Sequence, residues 1–183
     1  MRVDLAAYNN RWYKPGHLMK RWLWYLFNIL LFKTPLFPIY RFKVFTLRAF
    51  GAKIGHNVII KPLVSIKYPW FLEIGNNVWI GEAVWIDNLG MVTIGNNVCL
   101  SQGALLLSGN HDYTSPSFDL VVNEIVLEDG VWIGAKSIVC GGAKCRDHSV
   151  LGAGSVTAGE LLPMGIYRGN PAVWIKNREL KKT

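Results

Sequence analysis

What this sequence has little of narrows its identity before any motif is considered. Cysteine occurs three times, at Cys99, Cys140 and Cys145. An odd, scattered set offers neither a disulfide framework nor a Cys-x-x-Cys metal clip, and points to a reduced, cytoplasmic setting. Acidic residues are almost missing from the first fifty positions. Asp4 stands alone there against nine Lys and Arg, a balance of +8, while residues 51–183 carry eleven of each sign. The net charge therefore belongs to one end of the chain. That end holds no nucleic-acid motif, so nucleic acid is not an expected partner. No apolar run reaches the roughly 20 residues that a membrane span needs. The helix-compatible stretch Arg21–Phe32 is ended by Pro35 and Pro38, and no small-residue cleavage site follows it, which excludes an ordinary secretory signal.

What is there is a repeat. An aliphatic residue opens almost every group of six, with a small apolar residue four places on. The opening positions are Ile54, Ile60, Ile66, Ile74, Ile80, Ile86, Ile94, Leu100, Leu106, Leu127, Ile133, Val139, Cys145, Leu151 and Thr157. Their gaps run 6, 6, 8, 6, 6, 8, 6, 6, 21 and then five sixes. A unit too small to bury its own apolar face must stack on its neighbours. Because the lengthened gaps recur once in three, the predicted solid is a three-sided parallel β-helix. Ile54, Ile74, Ile94, Leu127 and Cys145 form one column, Ile60 to Leu151 the second, and Ile66 to Thr157 the third. All three insertions then fall on one edge of the prism, with coils about 4.8 Å apart.

The length suits one domain with appendages: a basic aromatic helical arm over 1–50, the β-helix over 51–162 with a loop inserted at 107–124, and a loop and tail over 163–183. Asn76-Asn77 and Asn96-Asn97 read as turn pairs, since Asn tolerates left-handed backbone. Trp70 and Phe71 are expected to protrude at the first insertion. The arm is expected to cap or pack on the prism. Its Trp and Tyr beside Lys and Arg also suit the headgroup zone of an anionic membrane, as a peripheral contact on the inner face.

The hexapeptide repeat, the Gly109-Asn110-His111-Asp112-Tyr113 loop and the closing Gly169-Asn170-Pro171-Ala172 together resemble the hexapeptide-repeat acyltransferases. The similarity is strongest to the colanic-acid biosynthesis acetyltransferases, relatives of the galactoside and maltose O-acetyltransferases. The resemblance implies a left-handed β-helix assembled as a homotrimer, with sites between subunits and acetyl-CoA as co-substrate. By that resemblance His111 matches the loop general base, and Ala135 and Ala153 match positions lining the coenzyme groove. Lys176 matches a basic position facing the coenzyme's phosphates. Thr157-Ala158-Gly159 and Val173 depart from the usual basic positions, and Arg168, Lys136 and Arg178 are the possible substitutes.

The chemistry asks for little more. An alcohol attacking a thioester must lose its proton as the bond forms, and imidazole accepts such a proton well near neutral pH. Backbone N–H groups near Gly109 or Gly141-Gly142 could meet the oxyanion. Asp87 and Asn88 fall one coil below the root of the His111 loop and are expected to bind the acceptor sugar, with Trp85 or Trp132 offering a ring face. Asp112 could orient the imidazole, and Tyr113 joins it as a candidate on the acceptor side. His17, His56 and His148 read as structural, and no second His lies in the loop, so a three-His zinc site is not expected. The expected activity is O-acetylation of a sugar or polysaccharide precursor without a metal. A non-catalytic trimeric scaffold in a polysaccharide-biosynthesis complex, or N-acetylation of an amino sugar, is the alternative.

Overall fold

Residues 2–181 are described by a computed structural model. Each expected column is a parallel sheet. In the first sheet Ile54, Ile74, Ile94, Leu127 and Cys145 are in register, followed by Leu161. The second sheet aligns Ile60, Ile80, Leu100, Ile133, Leu151 and Tyr167. The third aligns Ile66, Ile86, Leu106, Val139 and Thr157. Most strands are only two or three residues long, because the chain must turn a corner every sixth residue. The opening residues point inward and stack into a buried core, and the small residues two places earlier, such as Val78, Val84 and Ala104, fill the corners beside them. Burying each such aliphatic side chain contributes about 1.5–3 kcal/mol.

The corner between the first and second sheets shows what the paired asparagines do. The second of each pair, Asn77 and Asn97, adopts left-handed backbone at φ 57° and 55°. The first of each pair bonds the neighbouring coil, since Asn76 Oδ1 accepts from the His56 amide and Asn96 Oδ1 from the Asn76 amide, both at 2.8 Å. Asp129 continues this ladder by accepting from the Asn96 amide. Gly75 must be glycine, since a Cβ there would lie 2.7 Å from Asn96 Oδ1.

The prism runs past residue 162, further than the repeat spacing indicated. Glu160–Leu161 closes the first sheet, Gly165–Gly169 pairs with Val150–Leu151, and Ala172–Asn177 folds back antiparallel to finish the top. The tail expected over 163–183 is thus largely a terminal hairpin. Tyr167 takes the core position that an aliphatic residue fills elsewhere in the second sheet.

At the opposite end, α2 (Tyr40–Ala49) seals the first coil. Leu47 is fully buried there, Lys43 Nζ donates to the Lys61 carbonyl at 3.1 Å, and Arg48 donates to the Ile54 and Gly55 carbonyls. Bare strand edges are thereby covered. Burial away from water lowers the Lys43 pKa. The helix α1 (Leu18–Phe27), extended by a π turn over Asn28–Phe32, lies on the third side, where Trp24 Nε1 donates to the Ile66 carbonyl at 2.9 Å. His17 is the N-cap of α1. Before α1 the chain runs along the insertion edge, held where Pro15 accepts from Trp70 Nε1, where Tyr13 Oη donates to Leu89, and where the Asp4 amide donates to Pro116. Trp70 therefore does not protrude: the arm, Lys20 and Tyr68 enclose it.

Candidate functional site

The lengthened turns do gather on one edge, between the third and first sheets. Leu107 pairs with Asp87 one coil below, and the Ser108 amide donates to the Asp87 carbonyl. The inserted segment is more ordered than a loop. Gly109–His111 pairs antiparallel with Leu120–Val122, placing His111 at the end of a short hairpin. Its tip is braced by Asp112, which accepts from the Thr114 amide and hydroxyl, and by Asp119, which accepts from Ser115 and Ser117. Phe118 completes the turn with left-handed backbone, φ 55°.

That turn fixes the imidazole. His111 Nδ1 lies 2.8 Å from the Phe118 carbonyl oxygen. A carbonyl oxygen only accepts, so Nδ1 carries the hydrogen, and in the neutral ring Nε2 keeps its lone pair. The Phe118 ring stacks on the imidazole at 4.6 Å and 12°, and Tyr8 of the arm stands at 5.8 Å, tilted by 55°. The imidazole is thus half-buried, oriented at one nitrogen and flanked by two aromatic rings.

Asp112 does not orient His111. Its carboxylate turns to Thr114, whose hydroxyl and amide hold its pKa below the usual carboxylate value. Tyr113 projects into solvent at the tip. Asn88 departs from its expected role. It is fully buried, its Oδ1 accepts from the Lys67 and Tyr68 amides, and its Nδ2 donates to the Tyr68 and Phe71 carbonyls. With the amide engaged on all sides, Asn88 builds the insertion below and offers a sugar nothing. Gly142 is not an oxyanion donor either, because its N–H donates to the Glu124 carbonyl.

Trp85 and Asp87 do meet. Both line a cleft of about 560 Å³ between α1 and the prism, together with Arg21, Trp22, Tyr25 and Lys67. Lys67 Nζ lies 3.0 Å from Asp87 Oδ1 but off its hydrogen-bonding direction. Trp132 is elsewhere, on the outward face of the second sheet, donating to Ser101. Sequence reasoning missed Phe118, Tyr8 and Tyr13. The lone aromatic in Ser115-Pro116-Ser117-Phe118-Asp119 was the available signal for the first; the two tyrosines carry none.

The residues matched to the coenzyme groove sit on another edge. Ala135 and Ala153 follow successive strands of the second sheet, and the Gly154 amide donates to the Ala135 carbonyl at 2.9 Å. Arg168 continues the column, its Cβ 3.6 Å from where a Cβ on Gly152 would stand. Lys176 lies on the returning strand opposite Ile166. This edge joins the second sheet to the third, and His111 hangs from the next. Among the described residues no cluster of three or more His, Cys, Asp or Glu could hold a metal ion.

No protein-family model matches the sequence. The colanic acid biosynthesis acetyltransferase WcaF of Escherichia coli is 36% identical over 176 residues, covering 96% of this chain and 97% of its own. This chain belongs to the hexapeptide-repeat acetyltransferases. Among solved structures, a hexapeptide-repeat acetyltransferase of Vibrio cholerae superposes with a TM-score of 0.78 at 22% identity, over 88% of this chain and 92% of that one. A galactoside acetyltransferase in complex with coenzyme A gives 0.74 at 25% identity, over 88% and 80%. Within this acetyltransferase the prism is the scaffold that the fold relatives share, and the His111 hairpin is its one long excursion.

Proposed function

We propose that this acetyltransferase moves an acetyl group from acetyl-CoA to a hydroxyl of a sugar in an exopolysaccharide precursor. His111 Nε2 takes the hydroxyl proton as the oxygen attacks the thioester carbonyl; the tetrahedral intermediate then expels the coenzyme as a thiol, which recovers that proton. The observation that carries this reading is the Nδ1 contact with Phe118, which leaves Nε2 as the free base. No covalent enzyme intermediate is required. Cys145 is buried, with its thiol pushed up to about 12, which is unsuited to nucleophilic work.

The active assembly in this reading is a homotrimer. Ala135, Ala153 and Arg168 lie on one edge and His111 on another, with a side of six residues between them. At about 3.3 Å per residue that side spans up to about 20 Å, so a neighbouring copy is needed to join the two halves of a site. The outward faces agree. The first sheet presents Lys53, Glu73, Lys144 and Glu160, whereas the second and third present Trp79, Trp132 and Trp85, each about half exposed in the single chain. Asp87 and Trp85 serve the acceptor, Lys176 and Arg168 the coenzyme phosphates. A peripheral position on the inner face of a membrane, through residues 1–50, belongs to the same reading.

The test is the purified chain with acetyl-CoA and candidate oligosaccharides, read by thiol release and by the mass of the acylated product. Base-stable product would place the acetyl group on nitrogen and turn the reading to N-acetylation. An intact trimer releasing no thiol above background, with every acceptor offered, would leave a scaffold.

A further inference from the structure

The arm carries a surface that its own fold leaves bare. On α1 and its π turn, the stripe of Trp24, Phe27, Asn28, Leu31 and Phe32 packs toward the prism. The opposite stripe is as apolar as the buried one: Met19, Trp22, Leu23, Leu26 and Leu30 are all exposed, Trp22 at 61% and Leu30 at 67%. Leu36, just beyond the turn, is exposed at 88%. A helix facing water normally turns polar residues outward, and a contiguous apolar patch of this extent marks an interaction surface.

Charge decides the occupant. The same fifty residues hold nine cations and one acid. Two such arms brought face to face would repel, while a surface of negative charge would attract both. The side chains are those that settle at a headgroup boundary: Trp22 and Tyr25 among Leu and Met, with Lys14 before α1 and Lys33 after the π turn. Among the described residues no helix is long and apolar enough to cross a membrane, so a surface position is the one available to it. We propose that the outward face of α1 and its π turn lies in the surface of an anionic lipid bilayer. The helical segment Leu18–Phe32 would rest in the plane over roughly 22 Å, with the cleft holding Trp85 and Asp87 directly behind it. This deepens the proposed inner-face position by naming its face and its lipid charge, and it does not depend on acetyl transfer.

The experiment is co-sedimentation of the full chain with vesicles, either phosphatidylcholine alone or with a third phosphatidylglycerol. The expected result is binding to the anionic vesicles at least tenfold tighter than to the neutral ones, weakened by added salt. Leu26→Glu with Leu30→Glu, both at exposed positions, should lower that binding at least tenfold at an unchanged thermal midpoint. Lys14→Gln and Lys33→Gln should each lower it about fivefold, the worth of one basic side chain near such a surface. Equal affinity for neutral and anionic vesicles overturns the proposal. So does vesicle binding that survives the double Glu substitution while sedimentation velocity shows a soluble oligomer dissociating, since a second copy would then cover the face.

Discussion

Replacing Asn88 by alanine separates an architectural amide from a sugar ligand. In the structure its side chain makes four hydrogen bonds to the backbone of the insertion below, with Lys67 N at 3.2 Å, Tyr68 N at 3.0 Å, Tyr68 O at 2.6 Å and Phe71 O at 3.1 Å. The two to Tyr68 are buried, and water can reach the other pair only in part. Leaving a buried donor or acceptor without a partner costs about 1–3 kcal/mol. Counting only the Tyr68 pair, Asn88→Ala should destabilise the protein by about 2–6 kcal/mol. For a chain of this size that lowers the melting temperature by roughly 5–20 °C. Asn88→Asp should fail as well, because a carboxylate can accept from both amides but repels both carbonyl oxygens. Urea unfolding followed by tryptophan fluorescence measures the loss. An Asn88→Ala protein as stable as the parent, yet with an acceptor KM raised tenfold, would refute the reasoning and return Asn88 to the sugar.

Four further outcomes are expected. His111→Ala should lower kcat for acetyl transfer by about 10²–10⁴-fold with little effect on coenzyme binding; full activity in a steady-state thiol-release assay would remove the base assignment. Tyr8→Ala, which uncovers one face of the imidazole, should depress kcat more than the coenzyme KM, and Tyr8→Phe should restore it. Cys145 should resist alkylation in the native protein: with its thiol pushed up to about 12, only about one molecule in ten thousand is thiolate at pH 8. Mass spectrometry after a timed pulse of iodoacetamide checks this, and labelling should appear only on unfolding. The Asp129 carboxyl is held below its usual value by the side-chain and backbone N–H of Asn96. Its contribution is thus complete above about pH 4 and lost as the pH falls through the lowered folded value. Asp129→Asn should flatten that part of the acid-unfolding curve.

The prism was legible because its core obeys a counting rule. Six residues make a side, so Ile66, Ile86 and Leu106 had to stack and their insertions had to share an edge. Where the chain stops counting, inference weakened. Nothing in Asp87-Asn88 announces which side chain turns inward, and the buried amide looks in sequence like any polar loop residue. The path of the arm was hidden for a different reason. It rests on isolated polar contacts such as Tyr13 Oη to Leu89, at 2.6 Å, which leave no periodic trace. The end of the coil stayed hidden because Leu161 follows Thr157 by four residues and not six, and because Tyr167, not an aliphatic residue, fills the last core position.

The order in which the chain is made gives the arm an unusual history. Asp4 meets Pro116 and Tyr13 meets Leu89, so during synthesis the stretch ahead of α1 waits for partners about a hundred residues behind it. At roughly 5–20 residues per second that wait is on the order of ten seconds. Throughout it, that basic stretch lacks the contacts that later hold it to the insertion edge, while α1 and α2 already have Ile54, Lys61 and Ile66 within reach. Whatever is nearby during that interval, chaperone or lipid, meets the arm before the prism does.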